Sequence, residues 1–279
     1  MDKKNLIVKL VIIGLVVMVI GGVFINSNYR LTDNDFRVAT VDDNGLILRS
    51  VSVQRKMINE LDIDKGVSVW IPYGMGWYQS DKVKKILDQE KKQDLASDIF
   101  FYNFGFVPDI VIFNNSDNWD SDWQVIKKWG WANYLRYRLV NSNIMIKKES
   151  VKEDLLKSND FLNEIIPRDL ADSRLLREDL RISIYNLGES DGLANFMSKI
   201  LEWSGLTVVG IDNLPENVDN CLVSYGEETE NTYGFKTLKN KFGICKFEKN
   251  MSLGKGEVEL YFGDKYSQML NYQSYKQVK

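Results

Sequence analysis

The stretch from Leu180 to Leu214 constrains the fold of this 279-residue chain most strongly. Apolar and polar residues alternate from Arg181 to Leu187, which is typical of a β-strand. A helical pattern follows, in which apolar residues recur every three to four positions until Gly205 ends it. The run from Leu206 to Ile211 is almost continuously apolar and rich in β-branched residues, as in a strand covered on both faces. This order predicts a βαβ unit.

The chain after this unit continues to alternate strand and helix patterns. Strands are predicted at Cys221 to Tyr225, Ile244 to Phe247 and Val258 to Phe262, and a helix at Thr229 to Phe242. We therefore expect residues 180–266 to form a small βαβ-type α/β sandwich domain, and residues 267–279 to form a tail.

Particular residues in this region carry a resemblance to a known family. They are the Tyr-Asn end of the first strand, the helix start at Gly192-Leu193-Ala194, and Gly205 before a Thr-Val-Val strand, followed by residues 221–225 and 258–264. The pattern resembles the C-terminal domain of LytR-type proteins, which belong to the bacterial LytR-CpsA-Psr cell-envelope family. The resemblance covers residues 180–266 and implies a fold and a place in the cell envelope.

Histidine is absent from the chain, and there are only two cysteines. Ser-His-Asp and Cys-His nucleophilic systems, His-ligated metals and four-Cys sites are therefore excluded within it. Any catalysis would depend on carboxylates, Arg, Lys, Tyr or an oxygen-bound metal such as Mg²⁺. With 36 basic and 39 acidic residues, the net charge is −3, so no basic excess supports a nucleic-acid partner.

An apolar run from Leu6 to Ile25 is long enough to cross a bilayer core of about 30 Å. The lysines on its N-terminal side keep that end in the cytoplasm under the positive-inside rule. A cleavable signal peptide is the alternative, but residues 23–26 lack the small residues of a cleavage site. We expect residues 1–27 to be a cytoplasmic tip and a signal-anchor transmembrane helix. The rest of the chain would then lie outside the cytoplasmic membrane.

A second α/β region is expected at residues 36–141, followed by a charged connector at residues 142–179. Asp42-Asp43-Asn44-Gly45 predicts a hairpin turn between two strands, because Asn-Gly favours tight turns. Residues 74–78 predict an irregular aromatic loop. Further strands are predicted at 57–63, 67–71 and 109–113, and helices at 83–88 and 95–104.

This second region resembles a shortened form of the catalytic core of the same family. Residues 104–109, Phe-Gly-Phe-Val-Pro-Asp, are similar to a Leu-Gly-apolar-Pro-Asp step of that core. Tyr73 and Gly74 stand after Ile71-Pro72 where the family has Arg and Asp, so an arginine that would hold a pyrophosphate is missing there. The resemblance implies a Mg²⁺-dependent phosphotransferase that attaches polyprenyl-pyrophosphate-linked glycopolymer to the cell wall.

Under that resemblance, four residues are candidates for the chemistry. Asp42 and Asp43 follow a strand where the family places a Mg²⁺-binding carboxylate, although the same residues make an ordinary hairpin turn. Arg136 and Arg138 are similar to the family's Arg-x-Arg phosphate grip. On a strand they would share one face, whereas on a helix they would diverge. The alternative is a surface helix whose arginines are solvated or stacked on rings.

Aromatic residues and the two cysteines give further hypotheses. The aromatic residues could line a sugar-binding groove or lie at a membrane interface, although core packing is their common fate. They are Trp70, Trp77, Tyr78 and Trp131. Cys221 and Cys245 open consecutive strands of a predicted βαβ crossover, so a disulfide could join them in an oxidising compartment. Two small buried thiols are the alternative.

The sequence therefore indicates a single-pass membrane-anchored α/β protein of the bacterial envelope. The leading hypothesis is a non-catalytic binding or scaffolding module for cell-wall glycopolymer or a partner envelope protein, without a metal or cofactor. The alternative is the Mg²⁺-dependent phosphotransferase, in which Asp42, Asp43, Arg136 and Arg138 would hold metal and pyrophosphate. A third hypothesis is a membrane-localised regulator that acts through protein contacts.

Overall fold

A computed structural model describes residues 12, 14, 35–53, 55–113, 116–140, 143–152, 159–188, 190–214 and 220–276. The predicted signal anchor at residues 1–27 lies outside this part of the chain, except for two isolated positions. Among the described helices, none combines the length and the apolar character needed to cross a membrane.

The strands in the described part of the chain form two five-stranded sheets and one hairpin. They are β1 (Phe36–Val41), β2 (Leu46–Ser52), β3 (Met57–Ile63), β4 (Ser68–Ile71), β5 (Gly76–Gln79), β6 (Ile110–Phe113), β7 (Met145–Val151), β8 (Arg181–Asn186), β9 (Thr207–Asn213), β10 (Cys221–Tyr225), β11 (Lys246–Lys249) and β12 (Glu257–Phe262).

Helices connect and cover these strands. They are α1 (Ser80–Glu90), α2 (Ala96–Phe104), α3 (Trp123–Trp129), α4 (Trp131–Val140), α5 (Asn159–Ile165), α6 (Ser173–Leu176), α7 (Leu193–Ser204), α8 (Tyr233–Lys241), α9 (Asp264–Leu270) and α10 (Tyr272–Lys276). A π-helical turn, Ile166–Leu170, follows α5. The predicted α/β class is confirmed.

The first sheet has the strand order β6-β1-β2-β3-β7. β1, β2 and β3 form an antiparallel meander, with β6 parallel to β1 and β7 parallel to β3. The hairpin between β1 and β2 forms where Asn-Gly predicts it. β7 lies within the segment predicted as a connector, so that segment contributes an edge strand to the sheet.

The predicted loop at residues 74–78 is instead part of a hairpin. β4 pairs with β5 in an antiparallel register that places Trp70 opposite Trp77. Tyr73 and Gly74 have φ of 62° and 83°, which turns the chain back on itself within a few residues. The prediction was wrong because this turn uses left-handed backbone at a tyrosine, which is an unusual residue for it.

The second sheet has the strand order β11-β10-β12-β8-β9, and it contains the predicted βαβ unit. β8 and β9 are parallel, and α7 connects them. The expectation that β9 is covered on both faces was wrong, because β9 is an edge strand. Val209 and Ile211 on it are 55% and 45% exposed.

A disulfide joins Cys221 and Cys245, whose Cα atoms are 4.8 Å apart. The predicted pairing is confirmed, because β10 and β11 are parallel neighbours joined by α8. In the chain-entropy model, a loop of this size stabilises the fold by about 3 kcal/mol.

The two sheets share their hydrophobic cores across a junction. Trp70 and Phe101 pack into the core of the second sheet, while Trp203 of α7 packs into the core of the first. Tyr275 of α10 contacts the Trp70 ring at a centroid distance of 5.3 Å. The segment predicted as a tail therefore contributes to this junction.

Gly105 allows α2 to approach α7 closely. Its φ is +59°, and a Cβ there would lie 2.5 Å from the carbonyl oxygen of Ile200 and 2.6 Å from the Cβ of Trp203. These atoms belong to a helix that packs on both sheets, so they cannot move aside without disturbing the junction.

A buried ion network lies at the same junction. Arg37 of β1 is fully buried, donates to the carbonyl oxygens of Val107 and Leu170 at 3.1 and 2.6 Å, and lies 3.6 Å from Asp172. Arg174 bridges Asp172 at 2.7 Å and Asp109 at 2.9 Å. The network therefore ties β1 and the start of β6 to the segment that leads into the second sheet.

We expect Gly105→Ala to lower the free energy of unfolding much more than Gly74→Ala. Left-handed backbone costs about 1 kcal/mol at either position, and nothing lies within 4 Å of a Cβ at Gly74. The clash with α7 adds about 1–3 kcal/mol at Gly105 alone. Urea denaturation of the full chain measures both variants. Equal losses would contradict the close packing of α2 on α7.

We expect Asp172→Asn to destabilise the chain by about 3–5 kcal/mol, because it removes the carboxylate that faces the fully buried Arg37. The control is Glu164→Gln, which removes a surface ion pair with Arg168 and costs about 1 kcal/mol or less. Similar losses in both variants, again from urea denaturation, would show that the network is not a buried structural unit.

The pH dependence of stability gives a second test of this network. Burial opposes the charge of Asp172, but the hydrogen bond from Arg174 and the charge of Arg37 outweigh it and lower the pKa of Asp172. A lowered pKa contributes stability that is present above the ordinary carboxyl pKa and lost as the pH falls below about 4. The Asp172→Asn variant should show a flatter pH profile in that range.

Candidate functional site

The two faces of the first sheet have different surroundings. One face packs on α1, α2 and α5, with residues such as Leu48 and Leu61 in a closed core. The opposite face is here called the outer face, and the described residues that cover it lie at one end. Because side chains alternate along a strand, every second residue of β1, β2, β3 and β7 lies on this outer face.

Strand register arranges the outer face in three rows across β1, β2, β3 and β7. The rows are Phe36-Val51-Ile58-Ile146, Val38-Arg49-Glu60-Lys148 and Thr40-Ile47-Asp62-Ser150. The first row is apolar, the second carries charges of alternating sign, and the third is mostly polar. The outer face therefore changes from apolar to polar along the strands.

Residues 116–140 cover the apolar end of the outer face. Phe36 stacks on Trp129 at a centroid distance of 4.9 Å. Trp119 and Tyr137 complete this cover and are also buried. The polar end remains open beside Trp119 as a cleft of about 400 Å³. Its lining residues are Asp42, Asn44, Gly45, Ile47, Arg49, Glu60, Asp62, Trp119 and Lys148.

Cross-strand ion pairs hold the charged row of the cleft. Arg49 donates to Glu60 at 2.6 Å and to the Thr40 hydroxyl at 3.0 Å. Lys148 lies 2.9 Å from Glu60 and 3.4 Å from Asp62. Burial opposes the charge of Glu60, but the charge of Arg49 and the hydrogen bond from Lys148 lower the pKa of Glu60. Glu60 is thus held ionised between two cations.

Asp62 has a different environment from Glu60. Its side chain is 27% exposed, and burial raises its pKa although Lys148 partly opposes this. Of the two carboxylates that Lys148 contacts, Asp62, in the neighbouring polar row, is therefore the one with more hydrogen-bonding capacity left for a ligand. Together with Lys148, it places an acceptor and a donor at the open edge of the cleft.

The cleft offers donors and acceptors whose charges largely compensate each other. Such a lining suits a neutral, hydroxyl-rich ligand, because each hydroxyl group can both donate to a carboxylate and accept from a cation. Within the described residues, no group of three or more Asp, Glu or Cys side chains is arranged to hold a metal ion.

Asp42 and Asp43 have separate environments. Asp42 lines the cleft and is buried, and its Oδ1 accepts from the backbone N–H groups of Asn44 and Gly45 at 2.7 and 3.0 Å. The Asp43 side chain is 80% exposed and pairs with Lys84 at 3.1 Å. The contacts of Asp42 are those of the hairpin turn that the sequence also allows.

Arg136 and Arg138 lie on α4, which is a helix. Positions two residues apart on a helix face different directions, as in the helical alternative that the sequence also allows. Arg138 lies 3.3 Å from Asp120 and is half exposed. The alternative of a surface helix with an aromatic face describes this segment.

The four aromatic candidates do not form one groove. Trp70 is fully buried and packs edge-on against Tyr102, Phe196 and Tyr275, so it cannot contact a ligand at the surface. Trp77 stacks on Tyr275, and Tyr78 packs against the core of the first sheet. In contrast, Trp131 is 54% exposed.

The charged row of the cleft was not predicted from the sequence. The available signal was the placement of charged residues at alternate positions of apolar strands, as in Glu60 and Asp62 of β3. That signal does not show which charges meet, because their neighbours Arg49 and Lys148 come from two other strands. Only the strand register brings them together.

No protein-family model matches the chain. No curated protein matches it at a significant level. A solved structure, the LytR-CPS2A-psr family protein YwtF (TagT) with bound octaprenyl pyrophosphate lipid, is similar with a TM-score of 0.25 and 13% sequence identity. The similarity covers 75% of this chain and 91% of that chain. A likeness at this level does not assign the chain to that family.

Proposed function

We propose that this chain is a membrane-anchored extracytoplasmic protein of the bacterial cell envelope that binds a cell-wall glycopolymer in the outer-face cleft. The lining of the cleft carries the proposal. Compensated charges on Arg49, Glu60, Asp62 and Lys148 surround about 400 Å³ beside Trp119. Binding sites for small polar ligands combine such convergent polar groups with apolar walls.

The proposed location, anchored in the membrane and outside the cytoplasm, rests on three features of the sequence and fold. The apolar run from Leu6 to Ile25 has the length of a transmembrane anchor. Residues 180–266 resemble the LytR-type C-terminal domain in their motifs. The disulfide between Cys221 and Cys245 is typical of a compartment outside the cytoplasm.

Binding without catalysis is favoured by how the polar groups of the cleft are held. Glu60 and Thr40 engage Arg49, and the β1–β2 turn engages Asp42. Groups that are already hydrogen-bonded lose these bonds if they turn to a diphosphate or a metal ion. A glycan can instead bind at the open edge, and it requires neither a metal nor another cofactor.

A Mg²⁺-dependent phosphotransferase is the second candidate function. The observation in its favour is that Asp42 lines the same cleft as Arg49 and Lys148. In that case Asp42 and Asp43 would hold Mg²⁺, and the cations of the cleft would bind the pyrophosphate of a polyprenyl-linked glycan.

We expect Asp62→Asn and Lys148→Gln each to weaken glycopolymer binding about tenfold, because each removes a hydrogen bond that involves a charged group. The measurement is isothermal titration calorimetry of the full chain in detergent with isolated cell-wall glycopolymer. Asp212→Asn, at an exposed position of β9, is the matched control and should bind normally.

Unchanged affinity in both cleft variants, at an unchanged melting temperature, would show that the cleft does not bind the glycopolymer. The enzyme hypothesis is tested with the same preparations, Mg²⁺, a polyprenyl-pyrophosphate-linked glycan and a cell-wall acceptor that takes the glycan phosphate. Release of polyprenyl monophosphate that Asp42→Asn abolishes would establish it, since asparagine keeps the side-chain oxygen that accepts the turn hydrogen bonds but loses the charge.

A further inference from the structure

An exposed apolar stripe runs along α3 and α4. Trp131, Leu135 and Leu139 are spaced four residues apart and lie on one face of α4, with exposed fractions of 54%, 46% and 71%. Trp123 of α3 is 60% exposed and packs edge-on against Trp131, with ring centroids 5.7 Å apart. These four residues are here called the aromatic stripe.

The aromatic stripe adjoins the end of the first sheet at which the continuously described chain begins. Phe36, the first residue of β1, stacks on Trp129 at the end of α3. Met145 and Ile146 of edge strand β7 are 62% and 63% exposed, and Ile146 is in the same cross-strand row as Phe36. This end of the first sheet therefore carries exposed apolar side chains as well as an apolar core.

Chain length limits how far this end can be from the predicted anchor. The apolar run ends at Ile25, and residues 26–34 separate it from Asp35. A chain spans at most about 3.3–3.6 Å per residue, so these residues reach at most about 30 Å. A bilayer that holds the anchor is therefore within reach of the stripe.

We propose that the aromatic stripe inserts into the headgroup region of the bilayer that holds the anchor, which rests on the membrane anchoring in the proposed function. Tryptophan favours this region because its ring is both apolar and a hydrogen-bond donor. Lys127 and Lys128 of α3 are exposed beside the stripe and attract anionic headgroups. An anionic lipid surface thus matches both the shape and the charge of this face.

The test labels two positions of equal exposure in the full chain. Leu135→Cys lies in the stripe, and Ile211→Cys lies on edge strand β9 of the second sheet, at 46% and 45% exposed. Because Cys221 and Cys245 are joined, an environment-sensitive fluorophore attaches to the introduced thiol. The protein is reconstituted in phosphatidylcholine–phosphatidylglycerol vesicles that contain doxyl-labelled lipid.

We expect blue-shifted emission at position 135 and quenching several-fold stronger than at position 211. Equal, weak quenching at both positions, in protein that stays with the vesicles after an alkaline wash, would overturn the proposal and leave the anchor intact. A blue shift at position 135 without lipid quenching would also overturn it, since a glycan or a second copy would then cover the stripe.

The alkaline wash distinguishes failure of the stripe insertion from failure of the membrane anchor in the proposed function. Protein that the wash removes, but whose position 135 is quenched before the wash, would refute the anchor and support insertion of the stripe. Protein that neither stays with the vesicles nor shows quenching would overturn both. An unlabelled Leu135→Glu variant should keep the melting temperature of the original chain, because position 135 is on the surface.

Discussion

The buried charge of Arg37 is the constraint on which the rest of the structure depends. A fully buried guanidinium requires compensation, and here it comes from Asp172, two carbonyl oxygens and the Phe106 ring, whose centroid is 4.0 Å away. These partners belong to the loop before β6 and to the segment that leads into the second sheet. Arg37 therefore fixes how the two α/β regions meet, and Arg174 extends the same network to Tyr233 through a ring contact at 4.3 Å.

This junction leaves the outer face of the first sheet accessible. The face against α1 and α2 is closed, and the core of the second sheet takes in Trp70 and Phe101. On the outer face, residues 116–140 cover the apolar end, whereas the polar end remains open beside Trp119. In this aromatic segment, Trp119 thus lines the cleft and α4 carries most of the exposed stripe. The proposed ligand site and the proposed membrane contact therefore share one small structural unit.

Local sequence patterns predicted the structure correctly where the interacting residues are close in the chain. The β1–β2 hairpin formed as predicted because Asn-Gly chemistry and the flanking alternation act over a few residues. The βαβ unit and the disulfide followed from short connections between parallel neighbours. β7 and the helices after residue 263 were missed, because each is stabilised by residues far away in the sequence, whereas β5 was missed because its turn uses left-handed backbone at Tyr73. Tyr275 packs on Trp70, and Met145 to Val151 pair with β3.

By itself, the sequence determined the α/β class, the strand and helix periodicity of the second sheet, and the exclusion of histidine chemistry. Hydrophobic periodicity and residue identity are local properties, so these conclusions need no partner in space. The tertiary structure alone decided that Asp42 is engaged in a turn, that Trp70 is buried, and that Arg49, Glu60 and Lys148 form one row. Strand register and helix packing bring together residues that are distant in the chain, and no short stretch of the sequence shows which of these residues will meet.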